Sequence, residues 1–184
     1  YGALKKYNRI LFMTLGTGIG GAVIINGNLL ETGEYPGCEF GHMVIKENGL
    51  KCNCGRKGCF EKYGSMRAFK DNLRNELGLE DKTSGKELMA ILKDTTKESK
   101  DYAKIEKVRK QYIRDLSVGI ANLVNIFEPE AIGIGGSFVY FSEVLLQDVK
   151  ETILKEDMLF NPRKEINIQT AVLGNEAGII GATL

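Results

Sequence analysis

Four side chains that can bind a metal ion lie within one loop-rich segment of the sequence. Cys52, Cys54 and Cys59 have the spacing C-x-C-x4-C, and the single histidine, His42, lies ten residues before the first of them. Three thiolates and one imidazole supply the ligands of a closed tetrahedral zinc site, which we expect to be structural because no position stays open for water. Reduced, non-ligating cysteines or a pair of disulfides are the alternatives. Cys38 stands apart and is interpreted as a small buried residue.

Two carboxylates flank this candidate metal site. Glu39 lies three residues before His42, and Glu61 lies two residues after Cys59, so a bound metal would also fix the backbone that carries both of them. A rigid pair of carboxylates can hold neighbouring hydroxyls of a sugar through charge-assisted hydrogen bonds. His42 could contribute as well, because a metal-bound imidazole keeps a second ring nitrogen free. Alternatively, Glu39 and Glu61 are ordinary surface charges, as most glutamates are.

A glycine-rich turn follows the first apolar run of the chain. Its spacing, Gly16-x-Gly18-x-x-Gly21, formally matches the dinucleotide-binding fingerprint. That fold requires a helix next, whereas residues 22–30 predict a strand, an Asn-Gly turn and another strand, so we reject this interpretation. Consecutive glycines can instead direct backbone N–H groups toward one point and bind the phosphates of a nucleotide, with Thr14 and Thr17 adding hydroxyl donors. A glycine-rich hairpin without a ligand is an equal alternative from this motif alone.

Apolar periodicity predicts the elements that must position these residues. Strands are expected over residues 9–15, 22–25, 28–30, 42–45, 131–134 and 166–173. Helices are expected at the chain start (residues 1–7, as the tail of a longer helix) and over 66–77, from a capping box at Ser84–Glu87, and over 97–127, 142–155 and 175–182. This order predicts an α/β fold with a mixed sheet and helices.

Composition limits the classes of protein that remain. The 184 residues are sufficient for one domain with its own core, and 25 basic against 24 acidic residues give a net charge of +1. We therefore expect no nucleic acid or anionic membrane as a partner through this region. No apolar run of about 18 residues and no signal peptide occur, which predicts a cytoplasmic protein. The 22 glycines need a backbone explanation, because glycine is unfavourable inside helices and strands.

The sequence resembles the ROK family (repressor, open reading frame, kinase). Glu39-Phe40-Gly41-His42 followed by Cys52-Asn53-Cys54-Gly55-Arg56-Lys57-Gly58-Cys59-Phe60-Glu61 and Ser65 is similar to the family signature E-x-G-H, C-x-C-G-x-x-G-C-x-E-x-x-x-S. Residues 15–21 resemble the phosphate loop of the family, residues 134–137 its adenosine segment and residues 177–182 its terminal helix. The resemblance covers nearly the whole chain in order, and the cysteine signature is its most specific part.

The resemblance implies the C-terminal lobe of the actin-like ATPase fold over residues 1–184, with a zinc-bound loop at 37–62. It implies a glucokinase-like or N-acetylmannosamine-kinase-like enzyme that phosphorylates a hexose or N-acetylhexosamine with ATP and Mg²⁺. By position, the sugar ligands would be Glu39, His42 and Glu61, and the zinc ligands would be His42, Cys52, Cys54 and Cys59. The ATP ligands would be Thr14, Gly16, Thr17, Gly18, Gly135, Gly136 and Ser137, although the family usually has glycine where Ser137 stands.

The family's general base, an aspartate, and its first phosphate motif, D-x-G-x-T, do not occur in the sequence. Asp71 and Asp81 follow the cysteine cluster and are in the wrong context, so we expect the base upstream of Tyr1 and no turnover from this lobe alone. The family also implies a homodimer or tetramer. A sugar-sensing ROK repressor is the first alternative, because its discriminating region would lie upstream, and a purely structural zinc-bound interaction domain is the second.

Overall fold

Five strands form one mixed sheet in a computed structural model that describes residues 4–31, 33–34, 37–156 and 158–173. In chain order they are β1 (Ile10–Leu15), β2 (Ile19–Ile25), β3 (Asn28–Leu29), β4 (Ala131–Gly135) and β5 (Ile168–Thr170), and their order across the sheet is β3-β2-β1-β4-β5. β1 pairs antiparallel with β2 but parallel with β4, which pairs parallel with β5. The predicted mixed sheet is therefore confirmed.

Five α-helices and two short 3₁₀ helices complete the described fold. The helices are α1 (Glu61–Gly64), α2 (Met66–Leu77), α3 (Gly85–Asp94), α4 (Tyr102–Phe127) and α5 (Ser142–Lys155). The 3₁₀ helices span Phe40–His42 and Gly136–Phe141. Among these ranges, no helix is long and apolar enough to cross a membrane.

Local hydrogen bonds set the ends of α2 and α3 where the sequence predicts them. The Ser65 hydroxyl caps α2 by accepting from the Ala68 N–H at 3.2 Å, and the helix ends at Gly78 in the left-handed region, with φ of 66°. Ser84 and Glu87 form the predicted capping box at the start of α3. The predicted bounds of α5 are also confirmed.

Three predicted elements differ in the structure. The long helix begins at Tyr102 and not at residue 97, because Ser99 accepts a hydrogen bond from the Thr96 N–H at 2.9 Å and closes a turn that competes with the helix. The strand expected over 42–45 is reduced to one bridge residue, Val44, because the residues before it hydrogen-bond within the 3₁₀ helix. The strand expected over 166–173 is shorter, at 168–170 with flanking hydrogen bonds at Asn167 and Ala171, because the five-residue β4 offers no partners beyond these positions.

Helices are predicted at both ends of the chain, and the start of the chain is not helical where the structure describes it. Residues 4–6 form a turn, in which the Tyr7 N–H donates to the Leu4 carbonyl at 3.1 Å, and they are not helical. The helix predicted over 175–182 lies outside the described residues.

The main core lies between one face of the sheet and the helices α2, α4 and α5. Leu11, Met13 and Leu15 alternate along β1, are fully buried and pack into one cluster with the apolar faces of these helices. Every residue of β4 is buried, as expected for a central strand with neighbours on both sides. The sheet therefore gives the turns that follow β1 and β4 a rigid base.

A phenylalanine packed against two glycines joins the loop-rich segment to this core. The Phe60 side chain is fully buried, and β-carbons added at Gly64 and Gly119 would both lie 2.3 Å or less from its ring atoms. Gly119 lies inside the long helix α4, where glycine is less favourable than alanine by about 1 kcal/mol. The space that Phe60 occupies explains why glycine is found at position 119.

We expect Gly119→Ala to destabilise the fold by about 1–3 kcal/mol, although alanine favours helix, because overpacking against a buried ring is costly. Gly85→Ala is the matched control, since its added β-carbon would have no neighbour closer than 3.8 Å. Urea unfolding followed by circular dichroism measures both variants. A Gly119→Ala variant as stable as the control would contradict this account of Phe60 packing.

Candidate functional site

The four predicted metal ligands converge in the structure. The ligand atoms of His42, Cys52, Cys54 and Cys59 all lie within 4.8 Å of one another. His42 Nδ1 is 3.6 Å from Cys52 Sγ, and Cys54 Sγ is 3.6 Å from Cys59 Sγ. Ligand atoms around a tetrahedral zinc ion lie about 3.3–3.8 Å apart, given metal–ligand distances of about 2.0–2.3 Å. The residues therefore fit a zinc ion, and Cys38 is not part of the cluster.

Short-range backbone hydrogen bonds fold the loop that carries these ligands. The Cys52 N–H donates to the Arg56 carbonyl at 2.8 Å, and the Gly58 N–H donates to the Leu50 carbonyl at 2.9 Å. Gly55 and Gly58 have φ of 89° and 78°, so they make the tight bends expected of glycine between closely spaced ligands. These backbone hydrogen bonds and bends thus bring the three cysteines together.

Arg56 supplies positive charge to the cluster. Its backbone N–H and then its guanidinium hydrogen-bond to Cys54 and lower the pKa of that thiol to about 6. The guanidinium also donates to the His42 carbonyl at 3.0 Å. Burial, reinforced by the neighbouring thiols, raises the pKa of Cys59 to about 12. Burial disfavours the charged thiolate of Cys59. A divalent cation bound to the cluster would stabilise that thiolate, because it supplies the positive charge that the four side chains do not.

A partly buried ion pair fastens the same loop to α4. Lys46 Nζ lies 2.8 Å from the carboxylate of Asp115, which also accepts a hydrogen bond from Gln111 at 3.0 Å. The Lys46 ammonium lies 4.4 Å from the centre of the Tyr63 ring, and the Tyr63 hydroxyl accepts from the Leu50 N–H at 2.6 Å. The loop is therefore held to α4 and to α1 by polar contacts of its own residues.

The predicted phosphate loop lines an open groove of about 370 Å³. Because β1 and β4 are parallel neighbours, the turns that follow them meet at the same edge of the sheet. Gly136 has φ of 74°, and an added β-carbon would lie 2.7 Å from the Leu15 carbonyl oxygen, so only glycine fits this contact. The residues that line the groove are Thr14, Gly16, Thr17, Gly18, Ile19, Gly20, Glu61 and Gly136.

Two hydrogen bonds hold this turn from outside. The Gly16 carbonyl accepts from the Arg67 N–H in the first turn of α2 at 3.1 Å, and the Ile19 N–H donates to Glu61 Oε2 at 3.0 Å. Between them, no part of the chain that the structure describes accepts a hydrogen bond from the N–H groups of Thr17 and Gly18. Two unpaired N–H donors in an open glycine turn are suited to bind an anion.

Ser137 lines a second cavity, of about 470 Å³, beside the groove. Gly136, the first residue of a 3₁₀ helix, lines the groove, and the next residue, Ser137, lines the second cavity. Gly135, the last residue of β4, is buried and lines neither cavity. The residues that line the second cavity are Lys70, Gly85, Lys86, Met89, Ser137, Tyr140 and Phe141.

The two candidate sugar-binding carboxylates differ in their surroundings. Glu61 is half-buried and lines the groove, so it is not an ordinary surface charge, whereas Glu39 is exposed at the start of the 3₁₀ helix Phe40–His42. Gly41 connects the two, because a β-carbon added there would lie 2.5 Å from the Ile19 carbonyl oxygen and 3.4 Å from Glu61 Cβ. The segment with Glu39 and His42 thus packs beside Glu61 and β2.

The whole chain is similar in sequence to one known family. The ROK family profile matches residues 1–184. The chain belongs to the ROK family. It is 30% identical over 194 residues to a glucokinase from Thermotoga maritima, covering 99% of this chain and 59% of that protein. It is also 30% identical over 153 residues to a xylose repressor from Bacillus spizizenii, covering 83% of this chain and 38% of that protein.

A solved structure extends the comparison to the fold. The ROK family glucokinase from Streptomyces griseus, crystallised with glucose and AMPPNP, superposes with a TM-score of 0.74 at 27% sequence identity. The match covers 98% of this chain and 61% of that one. This ROK chain has the actin-like ATPase fold of the family's sugar kinases, and it spans about 60% of the length of the glucokinases it matches.

Sequence reasoning missed three parts of this ROK site. The backbone N–H of Ile19 is a partner of Glu61, Arg56 supports the cysteine cluster, and Lys70 and Tyr140 line the second cavity. Arg56 lies between Cys54 and Cys59, so its sequence position alone indicates that it is close to the cluster. The Glu61 contact joins residues 42 positions apart, and nothing in the local pattern indicates it.

We expect the purified protein to bind about one zinc ion per chain and Cys54→Ser to lose it, because the exposed Cys54 is one of the four candidate ligands. Cys38→Ser is the matched control, since Cys38 is also a free cysteine but lies outside the cluster. Elemental analysis after gel filtration measures the metal content. Zinc retained in Cys54→Ser, or absent from a folded wild-type protein, would contradict the assignment.

Proposed function

We propose that the protein containing this chain is an ATP-dependent sugar kinase that phosphorylates a hexose or N-acetylhexosamine. This chain would be its sugar- and ATP-binding C-terminal lobe. One observation carries the proposal: the carboxylate of Glu61 and the unpaired N–H groups of the glycine turn share one groove. A sugar hydroxyl and a nucleotide phosphate bound to these groups would lie next to each other, as phosphoryl transfer requires.

The nucleotide would extend across the two cavities. Its phosphates would lie against the Thr17 and Gly18 N–H groups, with Thr14 and Gly16 completing the turn and Gly136 closing the groove from the end of β4. The nucleoside would occupy the second cavity beyond Ser137, where the lining is predominantly apolar. The glucokinase solved with AMPPNP supports ATP as the co-substrate.

Two lysines line the second cavity and would contact polar groups of the nucleotide. Lys70 on α2 and Lys86 on α3 both line this cavity, and their ammonium groups could contact the ribose or the α-phosphate. Tyr140 presents an aromatic surface against which a nucleobase could stack. Gly135 would act only by shaping the backbone between β4 and the turn at Gly136.

The sugar would be held by Glu39, His42 and Glu61. Ionised carboxylates accept hydrogen bonds from hydroxyls strongly, and the ring nitrogen of His42 that is not bound to metal could donate or accept another. Zinc would act structurally here, by fixing the loop at 37–62 that carries these residues. Its closed ligand set leaves no role in the transfer step.

Catalysis in such a site would come from positioning and charge stabilisation. The Thr17 and Gly18 N–H groups would stabilise negative charge that develops on the transferred phosphoryl group, and Mg²⁺ bound with ATP would neutralise further phosphate charge. Among the described residues, Glu61 is the single carboxylate that lines the groove, and its Oε2 already accepts from Ile19. We therefore propose that the general base lies upstream of Tyr1.

The second candidate is the sugar-sensing domain of a ROK repressor. The match to the xylose repressor over 83% of this chain supports it directly. Both functions would use the same sugar-binding groups. They differ in what precedes this lobe: a D-x-G-x-T motif and a catalytic aspartate in a kinase, or a DNA-binding helix-turn-helix in a repressor. Reduced thiols that ligate zinc suit a cytoplasmic protein in either case.

We expect Glu39→Ala to weaken sugar binding about tenfold to hundredfold, because it removes a charged hydrogen-bond acceptor. Isothermal titration of the full-length protein with glucose, fructose and N-acetylmannosamine measures the dissociation constants. Glu47→Ala is the matched control, since Glu47 is an exposed carboxylate on the same loop. Absence of binding to any sugar, or equal affinity in both variants, would favour the zinc-bound interaction domain over a sugar site.

We expect the 184-residue chain alone to show no phosphoryl transfer, while the full-length kinase converts sugar and ATP to a sugar phosphate. The physical reason is that, among the described residues, the single carboxylate that lines the groove, Glu61, already accepts from the Ile19 N–H and is proposed as a sugar ligand, so the proposed general base lies upstream of this lobe. A coupled ADP-release assay with the same set of sugars measures both proteins. Turnover by the lobe alone would contradict the upstream base, and sugar binding without turnover in the full-length protein would favour the repressor.

A further inference from the structure

We propose that Glu61 is a positioning residue for the phosphate loop as well as a sugar ligand. Its carboxylate would hold the glycine turn in its anion-binding conformation even when no sugar is bound. The inference rests on the proposed function, because it concerns how the two binding sites of a sugar kinase are joined. What is new is that the shape of the nucleotide site would depend on Glu61, a residue of the sugar site.

The contact between Glu61 and the turn is close and specific. Glu61 Oε2 accepts from the Ile19 N–H at 3.0 Å, at the point where the turn becomes strand β2. A β-carbon added at Gly18 would lie 2.2 Å from the same oxygen, so the carboxylate packs directly on the turn. The Ile19 side chain is 5% exposed, which fixes the far end of the turn in the core.

Glu61 itself is held in place from its other side. It is the first residue of α1, directly after the fully buried Phe60 and two residues after the metal-site Cys59. Its backbone therefore has little freedom to move. The side chain packs beside Gly41 at its Cβ and on Gly18 at its carboxylate, so the position of the backbone is transmitted to the Ile19 N–H.

The two oxygens of the carboxylate permit two roles. Oε2 is committed to Ile19, while Oε1 forms no hydrogen bond with the residues that the structure describes. Oε1 would accept the sugar hydroxyl. Each site then uses a different atom of one rigid planar group, and loss of the side chain would disturb both sites.

Alanine and glutamine at position 61 separate these two roles. Glu61→Ala removes the acceptor for the Ile19 N–H. Glu61→Gln keeps an oxygen that can accept from Ile19 and removes only the charge. A residue that served the sugar alone would leave nucleotide affinity in the absence of sugar unchanged in both variants.

The experiment measures AMPPNP binding to the sugar-free full-length protein by isothermal titration, together with hydrogen exchange of the Ile19 amide without any ligand. For Glu61→Ala we expect about tenfold weaker nucleotide binding and about tenfold faster Ile19 exchange. For Glu61→Gln and the control Glu47→Ala we expect both values within about twofold of wild type. Sugar affinity should fall in both Glu61 variants.

The proposal is overturned if Glu61→Ala and Glu61→Gln have the same AMPPNP affinity and the same Ile19 exchange rate, whether both match the wild type or both differ from it. If Glu61→Ala does not fold, Gly18→Ala replaces it in the Ile19 exchange measurement, because its β-carbon would displace the same carboxylate. A wild-type protein that binds neither nucleotide nor sugar would overturn the proposed function, and Ile19 exchange would still decide whether Glu61 positions the turn. Wild-type exchange in Glu61→Ala would then reject it.

Discussion

Three consecutive residues fix the relation between the metal cluster, the core and the groove. Cys59 belongs to the metal cluster, Phe60 fills the space between two glycines in the core, and Glu61 accepts a hydrogen bond from the end of the glycine turn. No flexible residue separates these attachments. The shape of the groove therefore depends on the folding of the loop that precedes Glu61.

Charged and polar side chains support the cysteine cluster and attach the loop to the helices. Three thiolates around a dication would leave one negative charge in excess, and Arg56, which hydrogen-bonds to Cys54 and to the His42 carbonyl, lies where it would offset that charge. The Lys46–Asp115 pair then ties the loop to α4 with an acceptor that is almost completely buried. Tyr112 adds a neutral tie, because burial raises the pKa of its hydroxyl, which donates to the Gly64 carbonyl at 3.1 Å. The helices thus hold the site through polar contacts as well as apolar packing.

Much of the fold and the metal cluster could be predicted from local patterns. The spacing of Cys52, Cys54 and Cys59 restricts the backbone strongly, and the capping box at Ser84 is a purely local signal. The strand expected over 42–45 was wrong because β-branched and apolar residues there serve a loop whose hydrogen bonds are local. The bond from Ile19 to Glu61 could not be predicted, since a backbone donor has no sequence signature and its partner lies 42 positions away. The roles of Glu39, His42 and Glu61 in sugar binding stay predictions.

The packing of Phe60 also constrains how this family member can vary. A ring that contacts both Gly64 and Gly119 leaves no room for a side chain at either position, so these three sites behave as one volume shared between a loop and a helix. A relative with a smaller residue at position 60 is free to carry alanine or serine at 64 or 119, and to gain a more regular helix in exchange. Substitutions at these positions are therefore expected to be inherited together, as compensating changes in one packed volume.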